Sequence, residues 1–134
     1  MPTRRVTSGH LLIATGVIHQ VVGVIAGLGV GDDLGGRNLL LEVARLGVVD
    51  SIGADFARMA MFWFLLSGCL ILMLGSLLHQ LERRDPPLPA SIGWQLGALS
   101  IAGVLFIPAS GFWLVIPQAW WIVHKARGGQ RIRD

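Results

Sequence analysis

Long runs of apolar residues, separated by short polar segments, dominate the hydrophobic pattern of the chain. The first covers about residues 9–30 and the second about 58–79, with no charged side chain from 60 to 78. At about 1.5 Å of rise per residue, 20 helical residues cross a hydrocarbon core of about 30 Å. Both runs therefore predict membrane-spanning helices. The first is too long for the apolar part of a signal peptide, about 7 to 15 residues, so we expect it to be retained.

A third apolar stretch runs from residue 92 to 123 and contains one turn signal near its centre, the residues PASG at 108–111. Proline and glycine at such a position favour a reversal of the chain. The stretch therefore predicts two further spans, at about 91–107 and about 112–124. The last of them is short.

The segment between the first two spans has a different pattern. Residues 38–50, NLLLEVARLGVVD, place Asn38, Glu42 and Arg45 on one helical face and apolar residues on the other. Such a helix is too short and too charged to span, so it should lie at the membrane interface or fold over the other helices. The predicted fold is all-α, a single domain over residues 1–134: a four-transmembrane-helix bundle with an additional amphipathic interfacial helix.

Composition supports a membrane protein. Apolar residues make up 53% of the 134 residues and charged residues 14%, against about 25% in a typical soluble chain. The net charge of +3 comes from basic residues beside apolar runs, which is typical of membrane flanks and does not predict nucleic-acid binding. The single cysteine, Cys69, excludes a disulfide framework and a CxxC motif.

Basic residues in short flanking segments predict the orientation, because cytoplasmic loops carry an excess of lysine and arginine. Eight fall on one side and three on the other. We therefore expect a multi-pass protein of the cell inner membrane with both termini in the cytoplasm. The eight are Arg4, Arg5, Arg83, Arg84, Lys125, Arg127, Arg131 and Arg133, and the three are Arg37, Arg45 and Arg58.

Small residues recur at a spacing of four on two spans, Gly23 with Gly27 and Gly93 with Gly97. Helices in lipid approach closely along such stripes. The stripes predict close helix packing, within the chain or in a homo-oligomer. Because His19 lies on the first stripe near the middle of its span, we expect its side chain to face other helices.

An ionisable side chain at that depth is costly and often serves a site. The alternative is that a neutral His19 holds two helices together through Ser67, Ser100 or Gln118. Gln118 is also a candidate ligand-binding residue. It follows Pro117, however, and its amide would equally suit a carbonyl that the proline leaves without a donor.

The outer segment holds two pairs of opposite charge at a spacing of three, Glu42 with Arg45 and Asp55 with Arg58. Exposed pairs of this kind contribute little. If the amphipathic helix covers the other helices, however, Glu42 would face inward above His19, and burial would raise its pKa. An acid above an imidazole suits general acid/base catalysis, so His19 and Glu42 are the candidate catalytic residues and the other three are candidate ligand contacts.

Among the five tryptophans, Trp63 and Trp113 fall near the outer face, where they are candidates to line a pocket, whereas the others are typical of the aromatic belt. No metal-binding motif is present. A haem held by two histidines near the cytoplasmic ends remains an alternative, and otherwise no cofactor is expected. Its candidate ligands are His10, His79 and His124.

Three segments carry a resemblance: SGHLLIATGVIHQVVG at 8–23, MFWFLLSG at 61–68 and PASGFWLVIPQ at 108–118. The chain resembles a group of short, functionally uncharacterised bacterial four-helix membrane proteins over most of its length. The resemblance implies the membrane fold and no particular activity. In outline the layout is also similar to four-helix membrane isomerases and cyclases, without a match to their motifs.

The sequence thus predicts a membrane protein with an intramembrane pocket for a small lipophilic molecule, with an acid/base isomerase or cyclase as one version. Three alternatives stay open: a non-catalytic structural or regulatory subunit, a small drug-type transporter, and a haem protein. The transporter usually needs a carboxylate inside a span, and no acidic residue lies within a clear span here. Expected partners are the lipid bilayer and the lipophilic molecule.

Overall fold

A computed structural model describes residues 7–30, 37–84, 88–108 and 111–130. The regular elements in these ranges are all helical, which confirms the all-α prediction. They are α1 (Ser8–Gly27), α2 (Leu39–Leu46), α3 (Val48–Ala54), α4 (Phe56–Arg83), α5 (Ala90–Phe106), a 3₁₀ turn (Gly111–Leu114) and α6 (Val115–Gln130). Outside the described residues lie residues 31–36, residues 109 and 110 of the predicted chain reversal, and four arginines of the orientation count: Arg4, Arg5, Arg131 and Arg133.

Helix α1 ends earlier than the predicted residue 30, because a glycine caps it. Gly29 adopts a positive φ of 74°. Its N–H donates to the carbonyl of Ala26, and the N–H of Val30 donates to the carbonyl of Ile25. This pair of bonds is the Schellman motif, which needs a left-handed residue that glycine adopts without a steric penalty. Hydropathy continues past this point, but the helical backbone does not.

Helix α4 begins two residues before the predicted 58–79 span and ends four residues after it. Asp55 sets its start, with an extended backbone at φ −150° and ψ 125°. Its carboxylate oxygen Oδ1 accepts the N–H of Ala57 at 2.8 Å, which satisfies one of the donors that a helix start leaves without a partner. The charged residue predicted as half of an ion pair is therefore also a helix cap.

The predicted helix over 38–50 is wrong in one respect, because it is two short helices. Gly47 separates α2 from α3 with a φ of 84° and a ψ of 153°, values that no α-helix contains. Asn38 caps the start of α2 by accepting the N–H of Leu41 at 2.9 Å. The glycine was visible in the sequence, but its conformation was not.

The last predicted span, 112–124, is a short 3₁₀ turn followed by α6, which extends to Gln130. Pro117 is the third residue of α6. In the first turn of a helix a backbone N–H has no intrahelical acceptor, so a proline there costs no hydrogen bond. Pro117 therefore marks the start of a helix and does not interrupt one.

The chain divides into two compact units, and α1 and α4 contribute residues to both. In the unit of residues 16–71, α1 and α4 meet at glycines. A Cβ on Gly23 would lie 2.8 Å from side-chain atoms of Phe64 and Leu65, and a Cβ on Gly68 would lie 2.8 Å from His19. This confirms close packing at the first predicted stripe and adds Gly68, which the sequence analysis missed.

The other unit comprises residues 1–15 and 72–134, and α5 and α6 pack against each other within it. A Cβ on Gly93 would lie 2.6 Å from Val123 Cγ2 and 2.8 Å from the carbonyl oxygen of Ala119. The second stripe therefore also packs within the chain. Apolar residues buried here include Leu12, Leu78, Leu96, Ile122 and Val123.

Among the described residues, α1 and α4 are long and apolar enough to cross a membrane, whereas α5, with 17 residues, is a shorter apolar helix. Only 28% of the apolar window of α1 and 22% of that of α4 are buried. Most of their apolar side chains therefore face outward, unlike those of a core helix in a soluble protein.

Candidate functional site

Four charged side chains converge in the unit of residues 16–71. We call Arg37, Glu42, Asp55 and Arg58 the charged cluster. Arg37 is its centre, because its Nη2 donates to Glu42 Oε2 and to Asp55 Oδ2, both at 2.6 Å. Its Nε also donates to Glu42 Oε1 at 3.1 Å. Three predicted site residues are thus brought together, and the residue that joins them is one the sequence analysis missed.

Arg58 is bound differently from Arg37. Its Nε lies 3.8 Å from Asp55 Oδ2 and 4.0 Å from Glu42 Oε2, beyond hydrogen-bonding distance. The side chain is only 12% exposed, and its Nε is buried without a hydrogen-bond partner. Within the described ranges, the polar interactions of Arg58 are therefore charge attractions without a hydrogen bond.

The cluster keeps both acids ionised. Hydrogen bonding from Arg37 lowers the pKa of the Glu42 and Asp55 carboxyls, and for Asp55 the backbone N–H of Ala57 adds to this effect. The same hydrogen bonds raise the pKa of Arg37. The expectation that burial raises the pKa of Glu42 is therefore wrong, because its carboxylate meets a guanidinium rather than an apolar cavity.

An apolar groove of about 340 Å³ lies in the same unit. Three residues of α1, one of α2 and five from the start of α4 line it. Its buried lining residues include Leu39 and Met61, with 1% and 7% of their surface exposed, whereas Phe56 is 78% exposed. The lining is apolar, and the volume of the groove is within the range of about 300 to 1,000 Å³ that ligand pockets occupy.

The groove adjoins the charged cluster through neighbours in the chain. Phe56 and Ala57 line the groove, and Asp55 and Arg58 precede and follow them directly. Leu39 lines the groove one helical turn before Glu42. The site thus combines an apolar surface with four charges at its edge.

His19 has a different set of partners. Its Nε2 lies 3.0 Å from the carbonyl oxygen of Phe64 and 3.2 Å from Ser67 Oγ. A carbonyl oxygen can only accept, so we assign the proton to Nε2. The ring also stacks on the ring of Phe64, with centroids 3.9 Å apart. The packing alternative named Ser67 as a partner, and Ser67 is in contact with His19, but it did not name the Phe64 carbonyl that accepts the Nε2 proton.

His19 and Glu42 have no partner in common among the described residues. Neither lines the groove, although Phe64, which stacks on His19, does. An imidazole whose Nε2–H is bound to a carbonyl and a carboxylate bound to Arg37 are each engaged separately. The geometry therefore supplies no direct acid/base pair.

Gln118 belongs to the other unit and is 9% exposed. Its Nε2 donates to Thr15 Oγ1 at 2.7 Å and to the carbonyl of Leu114 at 2.9 Å. Its Oε1 is buried without a partner. The amide thus joins α6 to α1, and the carbonyl it reaches is that of Leu114, four residues back.

The three remaining candidates are surface residues. Arg45 is exposed and outside the charged cluster. Trp63 is 58% exposed and meets the ring of Phe62 edge-on. Trp113 is 56% exposed and donates from Nε1 to the carbonyl of Pro108 at 2.8 Å. None of the three lines the groove.

A second polar cluster, not predicted from the sequence, lies where α1 begins. Glu82 has only 7% of its side chain exposed and accepts the N–H groups of Ser8 and Gly9 at 3.1 and 3.0 Å. Lys125 Nζ lies 3.4 Å from it. A carboxylate at this position satisfies helix donors and complements the helix dipole. The sequence showed Glu82 only as a charge in a loop flank.

The histidines considered for haem also lie there. The rings of His10 and His79 are in contact, with centroids 4.1 Å apart, and Thr7 Oγ1 lies 2.8 and 3.0 Å from their Nδ1 atoms. Rings in contact leave no room for a porphyrin between them. His124 instead stacks on Trp120. The described residues contain no group of three or more side chains suited to a metal.

The fold and the site define an all-α protein with two helices long enough to span a membrane and an apolar groove bordered by charges. The chain belongs to a family of unknown function, DUF6463, whose sequence model matches residues 3–129. This confirms the predicted membership of an uncharacterised family. Neither curated proteins nor solved structures include a match.

Proposed function

We propose that the chain is an integral membrane protein with four spans, formed by α1, α4, α5 and the segment from Gly111 to Gln130. The support is the outward apolar surface. Phe106 is 87% exposed, Leu105 76% and Met73 67%, and exposed apolar side chains continue along α1 and α4. Water disfavours so many exposed apolar side chains, whereas lipid does not.

The proposed orientation has both ends in the cytoplasm of a cell inner membrane, with α2 and α3 at the outer face as interfacial helices. Fusions test it. Alkaline phosphatase, which needs an oxidising compartment, should be active when fused after residue 50 and inactive when fused after residue 134. A fluorescent protein fused after residue 134 should fluoresce. The opposite activities would reverse the orientation, and matching activities at both sites would contradict the span count.

We propose further that the protein binds a small lipophilic molecule. The single observation that carries this is the apolar groove between α1, α2 and α4. Binding, rather than isomerisation or cyclisation by His19 and Glu42, is what the geometry supports, because these two side chains are engaged elsewhere. Phe56, the first residue of α4, lines the groove and is 78% exposed, so we expect the molecule to enter near this end, from the outer leaflet in the proposed orientation.

Photolabelling tests this function. The full chain in lipid nanodiscs would be exposed to a long-chain alcohol carrying a diazirine on its tail, and labelled peptides would be mapped by mass spectrometry. We expect saturable labelling of residues 22–26 and 56–64. Ala60→Phe, which fills the groove, should reduce it severalfold, whereas Ala102→Phe on the exposed face of α5 should not. Unsaturable labelling that is equal on all helices would contradict the proposal.

The structural-subunit alternative relied on glycine stripes that bind partner helices. Gly23 and Gly93 instead meet side chains of this chain. Homo-oligomerisation would therefore need another surface. The oligomeric state can be measured from the mass of the protein in nanodiscs.

A further inference from the structure

In the charged cluster, the carboxylate oxygens of both acids have hydrogen-bond donors within the protein. Each of the four carboxylate oxygens of Glu42 and Asp55 accepts one hydrogen bond, three from Arg37 and one from the N–H of Ala57. Each of these oxygens therefore already has one donor within the protein.

The donors are in excess. A guanidinium has five N–H donors and cannot lose its proton in a protein. Arg58 donates to none of the described residues: its side chain is 12% exposed, and of its nitrogens only Nε is buried without a partner, which leaves the terminal nitrogens within reach of a ligand. Burying a polar group without a hydrogen bond is costly, and for a charged group the cost is greater. This position therefore favours a ligand that brings acceptor oxygens.

Arg58 stands at the edge of the groove. It follows the lining residue Ala57 and precedes the lining residue Met61 by three positions on α4, so it lies next to the lining face of that helix. An apolar tail lying along the groove would bring a head group at its end to Arg58.

We propose that the groove binds a single-chain amphiphile whose head group carries anionic acceptor oxygens, a carboxylate or a phosphate, and that Arg58 binds this head. Arginine suits both groups, because its planar fork of donors matches their paired oxygens. A cationic head would have to compete with Arg37 for the two acids and would be repelled by the guanidinium groups of Arg37 and Arg58. The inference rests on the proposed function and specifies its ligand.

The test compares head groups on identical tails. Dodecanoate, dodecyl phosphate, dodecanol and dodecylammonium would each compete with the diazirine alcohol for the full chain in phosphatidylcholine nanodiscs. We expect the two anions to compete at concentrations at least about tenfold lower than the alcohol or the amine, because hydrogen bonds to charged groups are the stronger ones. If the four compete equally, the groove holds any apolar chain and the inference is overturned.

Two variants and a control assign the effect to Arg58. Arg58→Gln should remove the preference for anions and leave competition by dodecanol unchanged, and Arg58→Lys should retain part of it. Arg83→Gln, at the other end of α4 and exposed, should behave as the wild type. An anion preference that survives in Arg58→Gln would overturn the inference. If Arg58→Gln does not fold, as judged by its thermal unfolding, Arg58→Lys and the wild-type comparison decide.

Failure of this inference is distinguishable from failure of the proposed function. If labelling by the diazirine alcohol is not saturable and Ala60→Phe does not reduce it, the groove is not a binding site. If all four competitors are equally effective and Ala60→Phe still reduces labelling, only the role of Arg58 is rejected. A preference for dodecyl phosphate over dodecanoate would identify a lipid phosphate as the source, and the reverse would identify a fatty acid.

Discussion

His19 donates from Nε2 to the carbonyl oxygen of Phe64, 3.0 Å away, and its ring stacks on the Phe64 ring. His19 on α1 thus contacts both the backbone and the side chain of Phe64 on α4. Phe64 also lines the apolar groove. The histidine that seemed the best candidate for catalysis therefore supports a wall of the site.

His19→Ala should destabilise the protein by about 1–3 kcal/mol, because it removes the hydrogen bond and the stacked ring. Thermal unfolding in nanodiscs measures this. His124→Ala, which loses only a stack on an exposed tryptophan, is the control and should have a smaller effect. Saturable labelling of the groove should survive in His19→Ala at temperatures where the variant is folded. Unchanged stability would show that the contact with Phe64 contributes nothing.

Arg37→Gln should destabilise the protein at neutral pH and much less in acid. The pKa values of Glu42 and Asp55 are lowered from their ordinary values of 4.5 and 3.8 when the chain is folded. Their stabilising contribution is therefore complete above those values and is lost as the pH falls through the lower folded values. The difference in unfolding temperature between wild type and variant should shrink between pH 5 and pH 3.

The matched control is Arg45→Gln, since Arg45 is exposed on α2 and outside the charged cluster. It should leave the unfolding temperature nearly unchanged at every pH. A wild-type minus Arg37→Gln difference that is constant with pH would mean that Arg37 acts through packing and not through the two carboxylates.

Gly93→Ala and Gly97→Ala should have opposite outcomes, although the two glycines are one turn apart on α5. A Cβ on Gly93 would lie 2.8 Å from the carbonyl oxygen of Ala119, and backbone cannot move aside easily, so we expect a loss of about 1–3 kcal/mol. A Cβ on Gly97 would make an ordinary contact at 3.7 Å, so that substitution should be neutral or stabilise by up to about 1 kcal/mol. Equal unfolding temperatures would show that α5 and α6 are not in close contact.

Glu82→Ala should destabilise the protein by about 1–2 kcal/mol, because the N–H groups of Ser8 and Gly9 lose their acceptor at the start of α1. Hydrogen exchange of these amides should increase along with the drop in unfolding temperature. Glu82→Gln keeps one acceptor oxygen and should lose less. Asp50→Asn replaces an exposed acid in the first turn of α3 and should have a smaller effect on stability and none on the exchange of Ser8 and Gly9. Slow exchange at Ser8 and Gly9 in Glu82→Ala would contradict the cap.

The sequence predicted the helices well where the signal is local. Both α4 and α5 follow from uninterrupted apolar runs: the predicted start of α5 agrees within one residue, and the predicted ends of α4 within two and four residues. It failed at Gly47, because a glycine inside an amphipathic pattern is compatible with a continuous helix until its φ is known. It also failed at the end of α1, where the bonds around Gly29 end the helix and hydropathy does not.

By itself, the sequence determined that the chain forms apolar helices and where most of its charges lie along them, because both depend on neighbours within a few turns. Only the tertiary structure decided which side chains meet. Arg37 reaches Asp55 across 18 residues, His19 reaches Phe64 across 45 and Gln118 reaches Thr15 across 103. Helix packing determines these partners, and the hydropathy pattern of the sequence does not predict them. The same packing places Arg58 next to lining residues of the groove, with an Nε that has no hydrogen-bond partner among the described residues.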